Sequence, residues 1–479
     1  MSAKTRVLRA ALLLGLATLA LPAEARAGRQ LDTGLVDLHA FSNGHSLAYA
    51  RAKGAGARYV RILVDWRHVE NGRPLPVVND PTNPADLMYT WDAIDREVRV
   101  ATRRGLVPML QVYGAPQWAE RCMSDDPDHP CDPDPRRIRQ FAIAAARRYN
   151  GAGPLPRVIW WQFWNEPNLD YFLNPQYRRG RLVAPQLYRA MLNAFSTGVK
   201  SVRASNLVIS AGLAPLARPG ATIGPLRFMR SMLCMRGRSR PRPSCRATTR
   251  VDILATNPYT TGGPTHSAPG PNDVSIGDLP EMRRLLRAAD RAGHIRSKFN
   301  RVPFWVTEFG WDSKPPDPGG LPLWLHARWA AEALYRMWRD GVTTVFWFQL
   351  RDERASSQPF GGVFESGLYR NGGRLANDRA KPVLRAFRFP FVALRAGRGA
   401  RVWGRTPDSG AGRVAIQALR RGRWRRTAVL RADRHGIFQA SLPRRRIALK
   451  MRARAAGLRS QPFSLRYVGD FYAPPFGSR

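Results

Sequence analysis

Two glutamates, Glu166 and Glu308, lie where short apolar and aromatic runs of the sequence end. Residues 158–164 precede the first glutamate and residues 304–307 precede the second, and a Pro or a Gly soon interrupts each run. Such runs are typical of buried strands, so both carboxyl groups are expected at strand ends. Cleavage of a glycosidic bond needs one carboxyl group to protonate the leaving oxygen and a second to attack the anomeric carbon or activate water. The pair therefore predicts glycosidic bond hydrolysis.

The elements that must hold this pair follow a repeating strand and helix pattern. Amphipathic stretches separate short apolar runs, and the clearest helices are predicted at 136–149, 185–205, 279–292 and 323–339. Eight runs are predicted strands, at 34–40, 59–64, 107–112, 158–164, 207–212, 251–257, 304–308 and 343–349. This alternation favours a closed (β/α)8 barrel, the TIM barrel, over an open doubly wound sheet, which would also carry a glycine-rich phosphate loop.

In such a barrel the carboxyl ends of all strands meet at one mouth. Glu166 follows the fourth predicted strand and Glu308 the seventh, so the two carboxyl groups are expected to face each other there. A separation of about 5 to 5.5 Å would indicate a retaining mechanism, and about 6.5 to 9.5 Å an inverting one. The sequence by itself leaves this choice open.

The segments 164–167 (Trp-Asn-Glu-Pro) and 307–310 (Thr-Glu-Phe-Gly) resemble the acid/base and nucleophile signatures of the clan A retaining glycoside hydrolases. The resemblance extends over residues 32–385, with families 5 and 39 the most similar. It implies that Glu166 is the general acid/base and Glu308 the nucleophile. It also implies that Asn165 hydrogen-bonds the sugar 2-hydroxyl, a contact that strengthens in the transition state.

The same resemblance assigns three supporting residues. Arg61 matches an arginine of the second strand that lies near the nucleophile, where a cation would keep Glu308 ionised. Tyr259 matches a tyrosine that hydrogen-bonds the nucleophile, although Asn257 stands where many relatives carry His. Trp347 matches the tryptophan of the eighth strand that floors the central sugar subsite. Three tryptophans just past predicted strand ends are expected to line further subsites: Trp66, Trp118 and Trp311.

Three segments are predicted along the chain. Residues 1–27 resemble a secretory signal peptide, with basic residues, an apolar run at 10–21 and small residues for cleavage. An uncleaved anchor helix is the alternative, and no later run approaches the roughly 20 apolar residues that span a bilayer. Residues 28–390 are the predicted catalytic barrel. Residues 391–479 alternate strand-like runs with turn signals and predict a small antiparallel β-sandwich.

Four cysteines in a chain expected to be secreted suggest two disulfides, for which three pairings are possible. The pairing of neighbours, Cys122 with Cys131 and Cys234 with Cys245, is favoured because each closes a short loop. No His or Cys cluster surrounds them, so metal ligation is disfavoured. Two carboxyl groups suffice for the predicted reaction, and we expect no metal or cofactor.

The formal net charge of +42 comes almost wholly from arginine, which accounts for 70 of the 77 basic residues. Residues 391–479 hold 21 basic residues against three aspartates, a net charge of +18. This segment is either a solvated surface or a binding face for an acidic polysaccharide or cell-wall polymer. A nucleic-acid partner is not expected, because no basic helix or aromatic RNA-binding motif is present. We expect a monomer.

The sequence thus predicts a secreted retaining glycoside hydrolase that cleaves a poly- or oligosaccharide, with a β-linkage expected. Two alternatives share the fold: a non-catalytic carbohydrate- or cell-wall-binding protein, and a transglycosylase. The identity of the sugar and the choice between endo and exo action depend on loop shapes that the sequence does not fix.

Overall fold

The structure is a computed structural model that describes residues 29–69, 80–122, 129–218, 221–353, 363–469 and 471–476. The predicted signal peptide, residues 1–27, lies outside the described residues. Within these ranges, no helix combines the length and the apolar character that a bilayer crossing requires.

Eight parallel strands form one sheet that nearly closes into a barrel. Each strand from β1 to β4 pairs with the next, β6 pairs with β7, β7 pairs with β8, and β8 pairs with β1. A parallel bridge between Ile209 and Ile253 spans the remaining gap between β5 and β6. The strands are β1 (Asp32–Val36), β2 (Tyr59–Asp65), β3 (Val107–Tyr113), β4 (Trp160–Phe163), β5 (Leu207–Ile209), β6 (Leu254–Thr256), β7 (Phe304–Val306) and β8 (Val342–Phe348).

Helices follow the strands in turn, which is the (β/α)8 arrangement predicted from the sequence. The start of α4 illustrates the local cause: Pro135 occupies the first turn, and the Asp134 carboxylate accepts a hydrogen bond from the Arg136 N–H at 2.8 Å. The helices are α1 (Ser46–Gly54), α2 (Trp66–Val69), α3 (Asp92–Arg103), α4 (Pro135–Arg148), α5 (Ala184–Val202), α6 (Pro225–Met232), α7 (Leu279–Arg291), α8 (Leu323–Arg339) and α9 (Pro382–Arg388).

Aromatic rings fill the interior of the barrel. The ring centroids of Trp160 and Trp305 lie 5.2 Å apart, and Tyr59 lies 5.4 Å from Trp160 and 5.5 Å from Trp305. Phe346 joins this cluster from β8. Large inward-facing side chains on alternate strand positions fill a barrel of this size completely, so these tryptophans are part of the core.

A sheet-rich region follows the barrel. Its strands pair antiparallel in two sheets, one in the order β9-β10-β13 and one in the order β12-β11-β14-β15 with β16 on β14. The strands are β9 (Phe391–Ala396), β10 (Gly399–Arg405), β11 (Gly412–Arg420), β12 (Arg423–Ala432), β13 (Ile437–Leu442), β14 (Lys450–Ala455), β15 (Leu458–Arg459) and β16 (Phe463–Ser464).

This region packs directly on the barrel. The Trp403 ring packs against both Tyr335 and Trp338 of α8, at centroid distances of 5.4 and 5.5 Å. The buried Arg405 guanidinium donates a hydrogen bond to the Leu31 carbonyl at 2.8 Å, just before β1. The apolar cores of the two parts are therefore continuous.

Two disulfides, Cys122–Cys131 and Cys234–Cys245, confirm the pairing of neighbouring cysteines, with Cα atoms 5.4 and 5.1 Å apart. The first bridge closes a loop after β3, on the mouth side of the barrel. The second closes a loop after α6.

Candidate active site

The loop after β4 carries Glu166 in an unusual backbone conformation. Trp164 and Glu166 have φ values of +73° and +33°, in the left-handed region that non-glycine residues rarely adopt. The Trp164 indole N–H donates to the Phe172 carbonyl at 2.7 Å, and the Glu166 N–H donates to the Gly212 carbonyl at 3.1 Å. These contacts hold a strained turn that directs the Glu166 side chain into the barrel mouth.

Glu308, two residues beyond the end of β7, is held by two side chains. The buried Arg61 guanidinium forms an ion pair with its Oε1 at 2.5 Å. The Tyr259 hydroxyl donates to its Oε2 at 2.9 Å. Burial and the neighbouring carboxylates raise the pKa of Tyr259 well above its ordinary value, so this hydroxyl keeps its proton and acts as a donor. Both partners therefore stabilise Glu308 as an oriented anion.

Asn257 connects the two glutamates. Its Nδ2 donates to Glu166 Oε1 at 2.9 Å, while its Oδ1 accepts a hydrogen bond from Thr307 Oγ1 at 2.9 Å. Thr307 precedes Glu308 in the chain, so one amide spans the gap between the loops that carry the two carboxyl groups. The sequence identified Asn257 only as a departure from the His of relatives, and its bridging position is visible only in the structure.

We expect substitution of Gly212 by Ala to disturb this bridge. An added Cβ would overlap the Asn257 side-chain oxygen and lie 2.5 Å from Thr307 Oγ1. Because a shift of about 1 Å in a catalytic group can cost about 100-fold in rate, kcat/KM should fall by about 10- to 100-fold. Steady-state kinetics on a chromogenic glycoside would measure it. Gly412→Ala is the matched control, since its Cβ meets nothing within 4 Å, and equal activity of the two variants would contradict the bridging role.

The two carboxyl groups differ in their environments. The pKa of Glu166 is raised to about 8, mainly by burial and also by the nearby Glu308 carboxylate, while the Asn257 hydrogen bond and Arg61 oppose the shift. A carboxyl group with this pKa carries its proton at neutral pH. The site thus combines a protonated Glu166 with a cation-paired Glu308, the pattern of an acid and a nucleophile.

The raised pKa of Glu166 predicts a fall in kcat/KM at alkaline pH. If Glu166 is the general acid that the sequence predicts, kcat/KM for alkyl glycosides should decrease above about pH 8, where Glu166 loses the proton that an alkoxide leaving group requires. Glycosides of acidic phenols need little protonation and should show a weaker decrease. A pH profile of both substrate types checks this. An equal decrease in kcat/KM at alkaline pH for the alkyl and the phenyl glycosides would contradict the assignment of Glu166 as the acid.

A cavity of about 810 Å³ opens at this mouth and contains both glutamates. Five of the residues predicted from the sequence line it together: Arg61, Asn165, Glu166, Tyr259 and Glu308. Gln111 of β3 donates from its Nε2 to the Asn165 side-chain oxygen at 3.3 Å, which orients that amide. Within the described residues, no group of three or more His, Cys, Asp or Glu side chains is placed to hold a metal ion.

The four predicted tryptophans do not line this cavity. Trp66 and Trp311 are almost completely buried, the first stacked on Phe141 and the second hydrogen-bonded to the carbonyls of Thr260 and Gly262. Trp118 is partly buried under the Arg137 guanidinium. A ring packed in this way presents no face to a sugar, so the predicted subsite roles of Trp66 and Trp311 are wrong, and the cavity does not reach Trp118.

Trp347 was predicted as the floor of the central subsite, and the structure contradicts this too. Its ring is fully buried on the outer side of β8, against His326 of α8 and Phe387 of α9. Side chains alternate between the two faces of a strand, so the next residue, Phe348, points into the cavity instead. The predicted strand end is therefore correct, but the side chain that faces the cavity is Phe348, one residue after the predicted Trp347.

No protein-family model matches the sequence, and no curated protein matches it. A family 39 glycoside hydrolase from the gut symbiont Bacteroides cellulosilyticus WH2 is similar in structure, with a TM-score of 0.50 and 18% identity over 87% of this chain and 79% of that chain. A glucosidase from Croceicoccus marinus is also similar, with a TM-score of 0.49 and 14% identity over 87% of this chain and 94% of that chain. A family 39 enzyme from Xanthomonas axonopodis pv. citri has a TM-score of 0.48 and 15% identity over 91% of this chain and 94% of that chain. At 18% identity the likeness to the Bacteroides enzyme shows the fold alone. That fold is a (β/α)8 barrel.

Several other residues that line the cavity carry no signal in the sequence. Segment 471–476 returns to the mouth after the sheets, where the Ala473 N–H donates to the Thr261 carbonyl at 3.0 Å. Its Phe476 ring lies 4.8 Å from Tyr259 and 4.7 Å from Phe364. Neither strand periodicity nor a motif marks this segment, because only the folded arrangement brings it to the barrel mouth.

Proposed function

We propose that this chain is a retaining glycoside hydrolase that cleaves a β-linked O-glycoside by double displacement. The observation that carries the proposal is the contrast between the carboxyl groups of one cavity. Glu308 is ion-paired with Arg61 and accepts the Tyr259 hydrogen bond, whereas burial keeps Glu166 protonated. The barrel fold, shared with a family 39 glycoside hydrolase, supports the proposal.

In the first step Glu308 attacks the anomeric carbon while Glu166 gives its proton to the glycosidic oxygen. The bond from that carbon to the leaving oxygen breaks, the aglycone departs as an alcohol, and the sugar becomes an ester of Glu308. Arg61 and Tyr259 hold the attacking carboxylate in one orientation before the reaction, so little of the barrier is spent on ordering it.

In the second step Glu166 acts as the base. Formation of the ester removes the negative charge of Glu308, one of the causes that raise the pKa of Glu166. Glu166, having given up its proton, then accepts one from a water molecule that attacks the same anomeric carbon and releases Glu308. An acceptor sugar in place of water would give transglycosylation from the same residues.

Asn165 completes the proposed sugar contacts. It lies next to Glu166, lines the cavity and is oriented by Gln111. The cavity volume of about 810 Å³ is in the range of sites for small ligands, which favours a short glycoside over a long polysaccharide chain.

Product stereochemistry tests this function. The protein would be screened against chromogenic β-glycosides, and the first anomer released from an active substrate would be followed by proton NMR. We expect the β-anomer to appear first and then to mutarotate. Initial release of the α-anomer would exclude double displacement, since a single displacement inverts the configuration.

We propose that the sheet-rich region binds an acidic polysaccharide or cell-wall polymer at a surface outside the active site. Arginines are exposed along β11, β12 and the turn after β13, and the segment carries a net charge of +18. Such a field attracts polyanions in a salt-dependent manner.

The two disulfides are compatible with the secretion that the sequence predicts.

A further inference from the structure

One wall of the cavity, formed by the loops after β4 and β5, is strongly apolar. Leu169 and Phe172 come from the first loop, and Pro215 and Leu216 come from the second. Tyr171 stands beside them with 49% of its surface exposed, and its ring lies 4.8 Å from Phe172. We call these five residues the apolar wall.

The position of Glu166 places the leaving group against this wall. A general acid gives its proton to the leaving oxygen, so the aglycone must extend on the side of the cavity where that acid lies. Glu166 belongs to the loop after β4, and its N–H is bonded to Gly212 in the loop after β5. The residues of the apolar wall belong to these same two loops. Arg61 of β2 and Tyr259, just after β6, instead contact Glu308.

The polar side chains behind the wall are already engaged. Asn168 is fully buried, donates to the carbonyls of Ala214 and Ile223, and accepts from the Ala214 N–H. Asp170 is paired with Arg218 at 2.9 Å. Gln176 donates to three main-chain carbonyls of the β4 loop. The hydrogen bonds and the ion pair of these side chains are made within the protein and stabilise the two loops.

A second sugar could place a C–H face on the Tyr171 or Phe172 ring, but this wall offers few partners for its hydroxyl groups. A pyranose carries hydroxyl groups around its ring, and each one that loses water without gaining a partner costs free energy. An aromatic or alkyl group has no such requirement and gains free energy in proportion to the apolar surface that it buries.

We propose that the apolar wall binds an aromatic or alkyl aglycone, so that the substrate is a glycoside of an apolar alcohol. This inference rests on the proposed function, because it names the leaving group of that reaction. It assigns Leu169, Phe172 and Leu216 as specificity-determining residues at the aglycone side.

The test compares two substrates that share one glycone, the sugar found active in the chromogenic screen. One is its 2-phenylethyl β-glycoside and the other is the β-linked disaccharide with glucose as the leaving sugar. Both leaving groups are alcohols that need protonation by Glu166, so their ratio of kcat/KM reports mainly on aglycone binding. We expect the phenylethyl glycoside to be favoured by about 10-fold or more. A ratio of one or below would overturn the inference.

Leu216→Asn and Leu169→Asn should each lower this ratio by about fivefold or more, because each replaces apolar wall surface with an amide. Leu449→Asn, an exposed leucine of the sheet-rich region, is the matched control and should leave the ratio unchanged. Thermal unfolding would show that the variants fold. An unchanged ratio in both folded wall variants would contradict the assigned roles.

A binding measurement separates this inference from the proposed function. Saturation-transfer NMR with 2-phenylethanol needs no turnover, and it should give a signal with the wild-type protein that weakens in Leu216→Asn. Equal signals from both proteins would overturn the inference whatever the activity. Retained stereochemistry without an aglycone preference would leave the proposed function standing and remove only the inference.

Discussion

Replacement of Glu308 by alanine is expected to lower kcat/KM by on the order of 10⁵-fold or more on every substrate, the scale associated with loss of a covalent nucleophile. Among the described residues that line the cavity, Glu308 is the carboxylate that both Arg61 and Tyr259 hold. Without Glu308, Arg61 keeps its charge at the mouth with no anion to attack the anomeric carbon. Steady-state assays with an activated chromogenic glycoside would measure the loss.

Glu281→Ala is the matched control for this experiment. Glu281 lies on α7, paired with Arg238, and does not line the cavity. It should retain nearly full activity, since a surface ion pair contributes little to stability. Addition of azide to Glu308→Ala should restore part of the turnover and give the α-glycosyl azide. Activity of this variant within tenfold of wild type would refute Glu308 as the nucleophile.

Replacement of Glu166 by alanine is expected to have an effect that depends on the leaving group. For alkyl glycosides, whose alkoxide needs the proton, kcat/KM should fall by about 10²- to 10⁴-fold. For 2,4-dinitrophenyl glycosides the first step should stay fast, because that phenolate leaves without protonation. The second step would then be slow, since no base activates water, and a burst of released phenol should precede a low steady state.

Azide provides the internal control for Glu166→Ala. As a nucleophile that needs no general base, it should raise the steady-state rate and form the β-glycosyl azide. The configuration of the azide product thus distinguishes the two glutamate variants from each other. Equal losses on alkyl and dinitrophenyl glycosides, with no burst and no azide effect, would rule out an acid/base role.

The sequence was sufficient for the barrel and the central pair. Apolar strand runs that alternate with amphipathic helices predict the fold, because each parallel strand is buried on both faces. All eight predicted strands are present, and their ends differ from the prediction by only a few residues. Both glutamates follow strands four and seven, so the shared geometry of a barrel was enough to bring them to one mouth.

Side-chain register and loop contacts could not be predicted in the same way. The run of aromatics at the end of β8 does not reveal which ring faces inward, and the structure selects Phe348 over Trp347. Asn257 acquires its bridging role only through the close approach of Gly212. Phe476 reaches the cavity from a segment more than 100 residues beyond β8, and no local pattern encodes such a contact.

Covalent labelling followed by peptide mapping tests the central claim most directly. A 2-deoxy-2-fluoro glycosyl fluoride of the active sugar reacts with the nucleophile and then hydrolyses slowly, so it marks the attacked residue. We predict one added fluorosugar per chain, located by mass spectrometry on the peptide that contains Glu308, and no label in Glu308→Ala. A label on any other residue, or inactivation without a covalent adduct, would contradict the account.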